Sequence, residues 1–356
     1  MSKPKRGILP FWLGALLAAT FVVTGIVVSA FFFLSLMAFL DRPLNPLAEA
    51  AEAVSNLELQ PLSQEGLVSV PTMVEGLATP TLIPTSLPRK SDRLNVLVMG
   101  IDRRPGEPFI SRTDSMMLLS IDPQTNSASM LSIPRDLYVV IPGRGRDRIN
   151  TAFVYGSAGG NPAGGASLAM QTVEYNLGIP IDHYLLVDFS AVTRGVDAIG
   201  GIDVNVPYEI YDATFPDMNY GYDPFYVAAG SQHFDGITAL KYARTRHQDS
   251  DFHRANRQQQ VVLAVRDKVT GMGLTEILRQ APFLYQQLND GIRTDLSLDE
   301  IIGLVTTTAG IQSENIQNIV LDQRYVTSYR TPKGASVLVP INEEIAPLVQ
   351  ELFYTQ

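Results

Sequence analysis

Residues 242–260 read Tyr-Ala-Arg-Thr-Arg-His-Gln-Asp-Ser-Asp-Phe-His-Arg-Ala-Asn-Arg-Gln-Gln-Gln, with four arginines and two aspartates among them. An apolar run with a helical pattern follows directly. If the helix begins near Asp251, then Arg254, Arg257 and Gln258 lie on one face. Arginine binds phosphate oxygens through several hydrogen bonds, and a helix N-terminus also attracts anions. The stretch therefore predicts either a phosphate site or a solvated, salt-bridged helix start.

The composition narrows the classes of protein that the chain can represent. Its 356 residues suffice for one large domain or two small ones. A formal net charge of −9 argues against a nucleic-acid-binding protein, so we expect no nucleic-acid partner. The chain has no cysteine, which excludes disulfides and thiolate metal sites.

The N-terminal region has the pattern of a membrane anchor. Residues 8–40 contain no charged residue and exceed the about 20 apolar residues that a bilayer core requires. Basic residues at positions 3, 5 and 6 precede this run, so the positive-inside rule places residues 1–7 in the cytoplasm. We expect a single-pass protein of the cell membrane with an extracytoplasmic main domain. A cleaved signal peptide is the alternative, although its apolar region would be only about 7–15 residues long.

Residues 41–90 predict an extracytoplasmic linker. Seven prolines interrupt them, and they carry no continuous apolar face. The folded domain is predicted for residues 91–356, with its motif-bearing core at 94–270.

The pattern of apolar runs from residue 94 onward predicts an α/β fold. Short apolar runs bounded by turn residues indicate buried strands, and longer amphipathic runs indicate helices. We therefore expect a layered α/β/α domain with a mixed central sheet. The predicted strands are 94–100, 114–121, 128–133, 183–189, 202–206 and 316–321, and the predicted helices are 166–177, 190–199, 234–243, 274–288, 298–308 and 343–353.

Four charged residues flank the first three predicted strands. If these strands form an antiparallel meander, the end of the first, the start of the second and the end of the third meet at one sheet edge. Asp102, Arg112, Asp114 and Arg135 would then converge. Two neighbouring aspartates repel each other unless a cation or a proton lies between them. A hard ion such as Mg²⁺, which takes carboxylate and phosphate oxygens, would satisfy both, whereas the alternative is that the aspartates only cap turns.

Two loops stand out by composition. Residues 141–149 are rich in glycine and arginine, and residues 207–230 contain five tyrosines. The tyrosine-rich loop is either functional or a packed Ω-loop, and the sequence leaves both open. The glycine-rich residues 156–165 are not followed by the Gly-Lys-Ser/Thr of a nucleotide site, and no Gly-x-Ser-x-Gly motif is present.

Several motifs resemble those of the LytR-CpsA-Psr family in order and spacing. The resemblance covers roughly residues 94–269, and an anchor followed by a tether is also typical of that family. The motifs are Asp102 with Arg112-Thr-Asp114, Ser132-Ile-Pro-Arg-Asp136, Val139-Val-Ile-Pro-Gly143 with Arg148-Ile-Asn150, Val196-Asp-Ala-Ile-Gly-Gly-Ile-Asp-Val204, and Ala243-Arg-Thr-Arg-His with Asp251-Phe-His-Arg254 and Arg257-Gln258-Gln259.

The resemblance implies a phosphotransferase-type enzyme that moves a glycopolymer from a polyprenyl-pyrophosphate carrier to a muramic-acid hydroxyl of peptidoglycan. Asp102 and Asp114 would hold Mg²⁺, with Mn²⁺ as the alternative ion, and Asp251 would orient an arginine or the metal shell. An apolar pocket in the α/β core would hold the lipid tail. The residues implied to bind pyrophosphate are Arg112, Arg135, Arg244, Arg246, Arg254 and Gln258, and those implied to act in catalysis are Asp102, Arg112, Asp114, Arg135 and Asp251.

Three alternatives stay open beside this interpretation. A hydrolase would use the same site with water in place of the sugar hydroxyl. A non-enzymatic regulator would sense polyprenyl phosphate and signal through its anchor. A purely structural interpretation treats the arginines as ion pairs with the excess acid. The residue that deprotonates the acceptor hydroxyl also stays open.

Overall fold

The structure is a computed structural model that describes residues 93–103, 107–217, 221–246, 250–273 and 287–354, together with 276, 279–280 and 283–284. The predicted cytoplasmic tail 1–7, membrane span 8–40 and linker 41–90 lie outside these residues, as does most of the predicted helix 274–288. Within the described part of the chain, no helix combines the length and apolar character that crossing a bilayer requires.

The described residues form fourteen strands and seven α-helices. The strands are β1 (Leu94–Ile101), β2 (Thr113–Asp122), β3 (Ser127–Ile133), β4 (Tyr138–Ile141), β5 (Gly145–Arg148), β6 (His183–Asp188), β7 (Ile202–Val206), β8 (Ile210–Asp212), β9 (Phe225–Val227), β10 (Gly230–Phe234), β11 (Ile292–Thr294), β12 (Ile316–Val320), β13 (Val326–Arg330) and β14 (Ser336–Pro340). The helices are α1 (Ala152–Gly156), α2 (Pro162–Leu177), α3 (Phe189–Ala198), α4 (Gly236–Arg244), α5 (Asp251–Met272), α6 (Leu298–Ala309) and α7 (Asn342–Phe353), with 3-10 turns at Ile149–Thr151 and Ser313–Asn315.

A six-stranded mixed sheet lies at the centre, in the order β11-β6-β1-β2-β3-β12. Strands β1, β2 and β3 form an antiparallel meander, as predicted. Strand β6 runs parallel to β1, β12 runs parallel to β3, and β11 pairs antiparallel with β6. The carboxyl ends of β1, β3 and β6 and the start of β2 therefore lie at one edge of the sheet.

Helices cover both faces of this sheet. On one face, Leu97, Met99 and Leu118 pack in a fully buried core with Ala169 and Val173 of α2. On the opposite face, α5 and α6 lie against β1, β2 and β3. The predicted mixed central sheet between helical layers is thereby confirmed.

A second core surrounds α4 and the first part of α5. Val204, Phe225, Phe234, Tyr242 and Val261 belong to it, together with residues from α3 and the β8–β9 hairpin. Strands β7 and β10 pair antiparallel beside it. This core fixes the junction between α4 and α5, which carries most of the arginines quoted at the outset.

Within the tyrosine-rich residues 207–230, the described part contains a β-hairpin. Strands β8 and β9 pair antiparallel, with Tyr211 opposite Tyr226. Phe215 and Phe225 point into the second core, whereas the two tyrosines are exposed. Residues 141–149 are likewise part of a hairpin formed by β4 and β5, so neither stretch is the simple loop that composition suggested.

Candidate functional site

The end of β1 meets the start of β2 at a β-bulge that contains Asp114. Ile101 pairs with Thr113, and the preceding residue of β1 pairs with Ser115, so Asp114 is the extra residue on β2. A bulge interrupts regular pairing and turns the extra side chain away from its normal direction. Asp102 directly follows Ile101 at the same sheet edge. The meander thus brings the two predicted aspartates to one edge.

Arg135 connects this edge to α5. It lies just beyond the end of β3, and its Nη1 donates a hydrogen bond to Oδ1 of Asp114 at 2.5 Å. Its Nε lies 3.6 Å from Asp136 and 3.8 Å from Asp251. Burial alone would lower the pKa of Arg135, but the hydrogen bond to Asp114 and the three neighbouring aspartates outweigh it and raise the pKa. Arg135 therefore remains charged.

The first turns of α5 carry the next two predicted residues. The helix begins at Asp251, as predicted. Nη2 of Arg254 donates to Oδ2 of Asp251 at 2.9 Å and to the backbone oxygen of Asp114 at 3.3 Å. Gln258 lies one turn further along and donates to a carbonyl in the last turn of α4. Because α5 packs beside β2 and α4, its first turns face the aspartate edge.

Arg257 has a different position from its neighbours on α5. Its side chain is only 3% exposed. Its Nε donates to the backbone oxygen of Tyr242 at 3.0 Å, and its Nη2 donates to that of Thr245. These carbonyls belong to the C-terminal end of α4, where backbone acceptors lack helical partners. Arg257 thus joins α4 to α5 from the same side as Gln258, which donates to Ala243, but unlike Arg254 and Gln258 it does not line the arginine cavity described below.

Arg244 is held between two aromatic rings at the end of α4. Its guanidinium carbon lies 4.6 Å from the ring centre of Phe189 and 5.5 Å from that of Phe215. Its Nη2 is 3.5 Å from Oδ2 of Asp102. Stacking restricts the guanidinium without using its hydrogen-bond donors. Arg244 can therefore offer these donors to an anion.

Asp251 lies at the centre of the arginine group. Besides Arg254, it is 3.4 Å from Nε of Arg246 and 3.8 Å from Nε of Arg135. Burial raises the pKa of Asp251; Arg246 and Arg135 act in the opposite direction, but the net shift is upward. Burial also lowers the pKa of Arg246. The carboxylate holds three guanidinium groups in place, which is the orienting position that the family resemblance implied for it.

Two polar cavities share Asp114 as a common wall. The first has a volume of about 310 Å³ and contains four of the predicted phosphate-binding residues. It is lined by Asp114, Ser115, Phe189, Asp212, Thr214, Phe215, Pro216, Arg244, Thr245, Arg246, Arg254 and Gln258. The second has a volume of about 430 Å³ and is lined by Ser111, Arg112, Asp114, Arg135, Asp136, Arg148 and Asn150.

The structure thus divides the predicted phosphate-binding residues between two neighbouring cavities. Arg244, Arg246, Arg254 and Gln258 line the first cavity. Arg112 and Arg135 line the second. Asp102 reaches the first cavity through its contact with Arg244. His247 and Asp249 of the same stretch lie outside the described residues.

A third, apolar cavity of about 380 Å³ lies along the C-terminal half of α5. Val96 and Leu119 form its floor on the sheet, and Val262 and Val265 of α5 with Leu304 of α6 form its cover. The family resemblance implied an apolar pocket for a lipid tail but not which residues line it. The first cavity is lined by Arg254 and Gln258 in the N-terminal half of the same helix, so α5 carries charged side chains in its first half and apolar ones in its second.

The aspartate edge suits a divalent ion that takes part of its coordination from a ligand. Asp102 has one long contact with Arg244, and Oδ1 of Asp114 is bound by Arg135. Among the residues that the structure describes, no group of three or more histidine or acidic side chains could hold a metal. Two carboxylates plus phosphate oxygens are the usual protein environment of Mg²⁺. Asp102 and Asp114 would supply two carboxylates at this edge, and a phosphate ligand would have to supply the remaining oxygens of such an ion.

Sequence reasoning missed the aromatic and amide residues of the site. Phe189 follows β6, and because β6 is parallel to β1 its end lies at the same sheet edge as Asp102. That signal becomes visible only once the strand order is known. Phe215 lies in the tyrosine-rich hairpin, for which a functional role was only one of two options. Asn150 belonged to a quoted motif but received no role.

The fold and the cavities define an α/β protein suited to an amphiphile with an anionic head and an apolar tail. The chain belongs to the LytR-CpsA-Psr family, because residues 73–352 match the LytR_cpsA_psr family.

Curated relatives and solved structures agree with this membership. The chain is 32% identical over 314 residues to the polyisoprenyl-teichoic acid–peptidoglycan teichoic acid transferase TagU of Oceanobacillus iheyensis, which covers 87% of this chain and 84% of that protein. It resembles a structure of TagT bound to LI-WTA with a TM-score of 0.58 and 29% identity, covering 74% of this chain and 90% of the other. Bacillus subtilis TagV gives a TM-score of 0.58 and 27% identity, covering 74% and 98%.

Proposed function

We propose that the protein transfers a glycopolymer, of the teichoic acid class named for its relatives, from a polyprenyl-pyrophosphate carrier to a hydroxyl of peptidoglycan. The observation that carries this proposal is the order of cavities along α5. An arginine-lined cavity at its N-terminal end suits a pyrophosphate, and an apolar cavity at its C-terminal half suits the lipid chain. The relatives' names supply the glycopolymer and the acceptor.

The proposed reaction is a displacement at phosphorus. The acceptor hydroxyl oxygen forms a bond to the phosphorus that bears the glycan, and its proton passes to a base or to solvent. The bond between that phosphorus and the bridging oxygen breaks, and the electron pair leaves with the lipid monophosphate. Negative charge therefore grows on the leaving phosphate, where Arg244, Arg246 and Arg254 are already in position to stabilise it.

The chain's own residues hold the arginines of the first cavity in position before the anion binds. Phe189 and Phe215 hold Arg244, and Asp251 holds Arg246 and Arg254. These contacts order the three guanidinium groups before an anion binds, so little of the binding energy is spent on ordering them. We propose that Mg²⁺, held by Asp102, Asp114 and substrate oxygens, neutralises part of the phosphate charge when bound. Mn²⁺ would be its substitute.

We also propose that residues 8–40 anchor the protein in the cell membrane, with residues 1–7 in the cytoplasm and the catalytic domain outside. The support is the apolar run and the basic residues before it. Residues 41–90 would then carry the domain away from the bilayer. A reporter fused to residue 356 and assayed for extracytoplasmic exposure tests this orientation; exposure on the cytoplasmic side would contradict it.

Reconstitution tests the transfer itself. The full chain in detergent or vesicles is incubated with a lipid-pyrophosphate-linked glycan, Mg²⁺ and peptidoglycan fragments, and glycosylated acceptor is measured by mass spectrometry. We expect acceptor product that requires both substrates. Release of free glycan phosphate without acceptor product would instead assign the same site to a hydrolase. Retention of intact donor would contradict any transferase or hydrolase function under these conditions.

The Arg244→Ala variant with an Arg279→Ala control links that activity to the site. Arg279 is 70% exposed and pairs with Glu276, and it lines none of the three cavities. We expect the first substitution to abolish or strongly reduce transfer and the second to leave it unchanged.

A further inference from the structure

Asn150 is one of several described residues with a buried side-chain polar atom that has no hydrogen-bond partner. It is 3% exposed, and no described residue donates a hydrogen bond to its Oδ1. Leaving a buried acceptor unpaired costs stability, so folded proteins rarely retain one without a reason. Asn150 also lines the second cavity. A ligand in that cavity would supply the missing donor.

Hydrogen bonds fix the backbone around Asn150, so its side-chain amide has a defined position in the cavity wall. Its backbone nitrogen donates to the carbonyl of Arg135 at 3.3 Å, and the preceding nitrogen donates to Leu137 at 2.7 Å. Oγ1 of Thr151 donates to the carbonyl of Arg148 at 2.7 Å. These bonds fasten the 3-10 turn after β5 to the chain that leaves β3. Asn150 is therefore fixed next to the Arg135–Asp114 pair.

Two of the three arginines that line the second cavity pair with its aspartates. Arg135 binds Asp114 at 2.5 Å. Arg148 lies 3.1 Å from Asp136 and donates to the carbonyl of Ser336 at 2.8 Å. Arg112, the third arginine, is exposed to solvent, so the cavity holds no buried charge that a second strongly charged phosphate would have to neutralise, and a hydroxyl-rich ligand fits it. An amide beside it suits a sugar hydroxyl or acetamido group.

In a displacement at phosphorus the acceptor must bind next to the pyrophosphate, and the second cavity adjoins the first. The entering and leaving oxygens lie roughly in line on opposite sides of the phosphorus. If the pyrophosphate and lipid occupy the first cavity and α5, the entering hydroxyl must approach past Asp114 from the other side. The second cavity shares Asp114 with the first as a wall, so a hydroxyl bound there would meet a phosphorus held in the first cavity at this residue.

We propose that the second cavity is the binding site of the acceptor sugar and that Asn150 accepts a hydrogen bond from a hydroxyl or amide of that sugar. This inference rests on the proposed function, since it identifies the acceptor side of the same reaction. Asn150 acts on the acceptor and not on the lipid-linked donor. Its removal should therefore change acceptor binding alone.

Kinetics of Asn150→Ala test this separation. We expect the KM for a muropeptide disaccharide of N-acetylglucosamine and N-acetylmuramic acid to rise about five- to tenfold, the loss of one neutral hydrogen bond. The KM for the lipid-linked donor should not change. Asn150→Asp keeps an acceptor oxygen in the same place, so it should recover part of the acceptor binding. A change in the donor KM, or no change in either KM, would overturn the proposal.

Asn176 provides a matched control for stability. It is also buried, at 4% exposure, but its Oδ1 accepts from the nitrogen of Val140 at 3.0 Å and its Nδ2 donates to Val140 and Thr172. Asn176→Ala should lower the melting temperature by several degrees. Asn150→Ala should leave it unchanged, because no internal hydrogen bond is lost. An equal fall in both variants would show that Asn150 has a structural role and would overturn the proposal.

Direct binding separates this inference from the proposed function. Titration calorimetry of the wild-type protein with the disaccharide, without donor, should show binding that Asn150→Ala weakens. If transfer is absent but this difference is present, the proposed reaction fails and the sugar site stands. If transfer occurs but wild type and variant bind the disaccharide equally, the sugar site fails. Should Asn150→Ala not fold, Asn150→Asp is compared with the wild type in the same titration, and the absence of any difference would overturn the proposal.

Discussion

Arg244 and Arg257 come from the same arginine-rich stretch but have opposite surroundings. Arg244 is partly exposed between two aromatic rings, with its donors directed to Asp102 and the first cavity. Arg257 is buried and binds the carbonyls of Tyr242 and Thr245. The two arginines cannot be told apart by residue type, but Arg257 is buried whereas Arg244 is partly exposed. A ligand-binding arginine and a structural arginine can therefore be distinguished by paired substitution.

Arg244→Ala should weaken binding of a polyprenyl pyrophosphate while the protein stays folded. A charge-assisted contact contributes about 1.5–3 kcal/mol, which corresponds to roughly a ten- to hundredfold loss of affinity. Arg257→Ala should instead destabilise the fold, because each buried carbonyl left unpaired costs about 1–3 kcal/mol. Thermal denaturation and ligand titration of both variants check this contrast. Loss of folding in Arg244→Ala with unchanged affinity in the folded fraction would support the purely structural interpretation of the arginines.

Asp251 makes the stability of the fold depend on pH. Because burial raises its pKa in the folded state above the ordinary value of 3.8, the folded protein binds this proton more strongly than the unfolded chain does. Its contribution is fully present below that ordinary value and is lost as the pH rises through the raised folded pKa. The free energy of unfolding of the wild type, relative to Asp251→Asn, should therefore fall between acid and neutral pH. Urea titrations at several pH values measure it, and a difference that stays constant or rises would show that the arginines outweigh burial.

Helix α3 and strand β6 meet at a buried ion pair that secures the loop after β1. Asp188 is fully buried, caps α3 through the nitrogen of Ala191 at 2.7 Å, and accepts from Arg103 at 2.9 and 2.6 Å. Arg103 lies next to Asp102 in sequence, and its guanidinium covers Phe109 at 4.0 Å. The pair thus fixes the chain that carries a predicted metal ligand.

Asp188→Ala should destabilise the fold by about 3–5 kcal/mol, since Arg103 would be left buried without its partner. Asp235 is the control, because it caps α4 in the same way at Thr238 but has no buried arginine partner. Asp235→Ala should cost only about 1 kcal/mol. Urea denaturation of both variants measures the difference. Similar losses in the two variants would show that capping, and not the ion pair, dominates at Asp188.

The elements that sequence reasoning predicted well are those with a strong local pattern. Strands β1, β2 and β3 contain short apolar runs bounded by turn residues, and the bounds of β7 coincide with the predicted 202–206. The hairpins β4–β5 and β8–β9 were missed because their strands are only three or four residues long, too short to show a clear periodic pattern. Strand direction then determined which residues lie at the site. The antiparallel meander places Asp102 and Asp114 at one sheet edge, and this could be predicted from the sequence. Phe189 reaches the same edge because β6 is parallel to β1, which no local sequence pattern reveals.

Helix α5 lines both the arginine cavity and the apolar cavity of the described domain. Its 22 residues span about 33 Å at 1.5 Å per residue. The first two turns line the arginine cavity, and the residues from Val262 onward line the apolar cavity. Between them, Gln259 is buried and donates to Oγ of Ser132 at 2.9 Å and to the carbonyl of Ile319 at 2.8 Å. The amide bonds hold the helix to the sheet where the character of its surface changes.

The apolar cavity should contribute to the binding of lipid-linked but not of soluble pyrophosphate. Val262→Trp places a larger side chain in its cover and should exclude part of the chain. Each CH₂ kept out of an apolar site costs about 0.8 kcal/mol, so the loss of two or three corresponds to roughly a ten- to sixtyfold weaker affinity. Ile237→Trp is the matched control, because Ile237 is 58% exposed on α4 and lines none of the cavities. Titration of both variants with polyprenyl pyrophosphates of increasing chain length and with inorganic pyrophosphate measures the effect. If Val262→Trp weakens both ligands equally, the substitution has disturbed the arginine cavity; if it weakens neither, the lipid chain lies elsewhere.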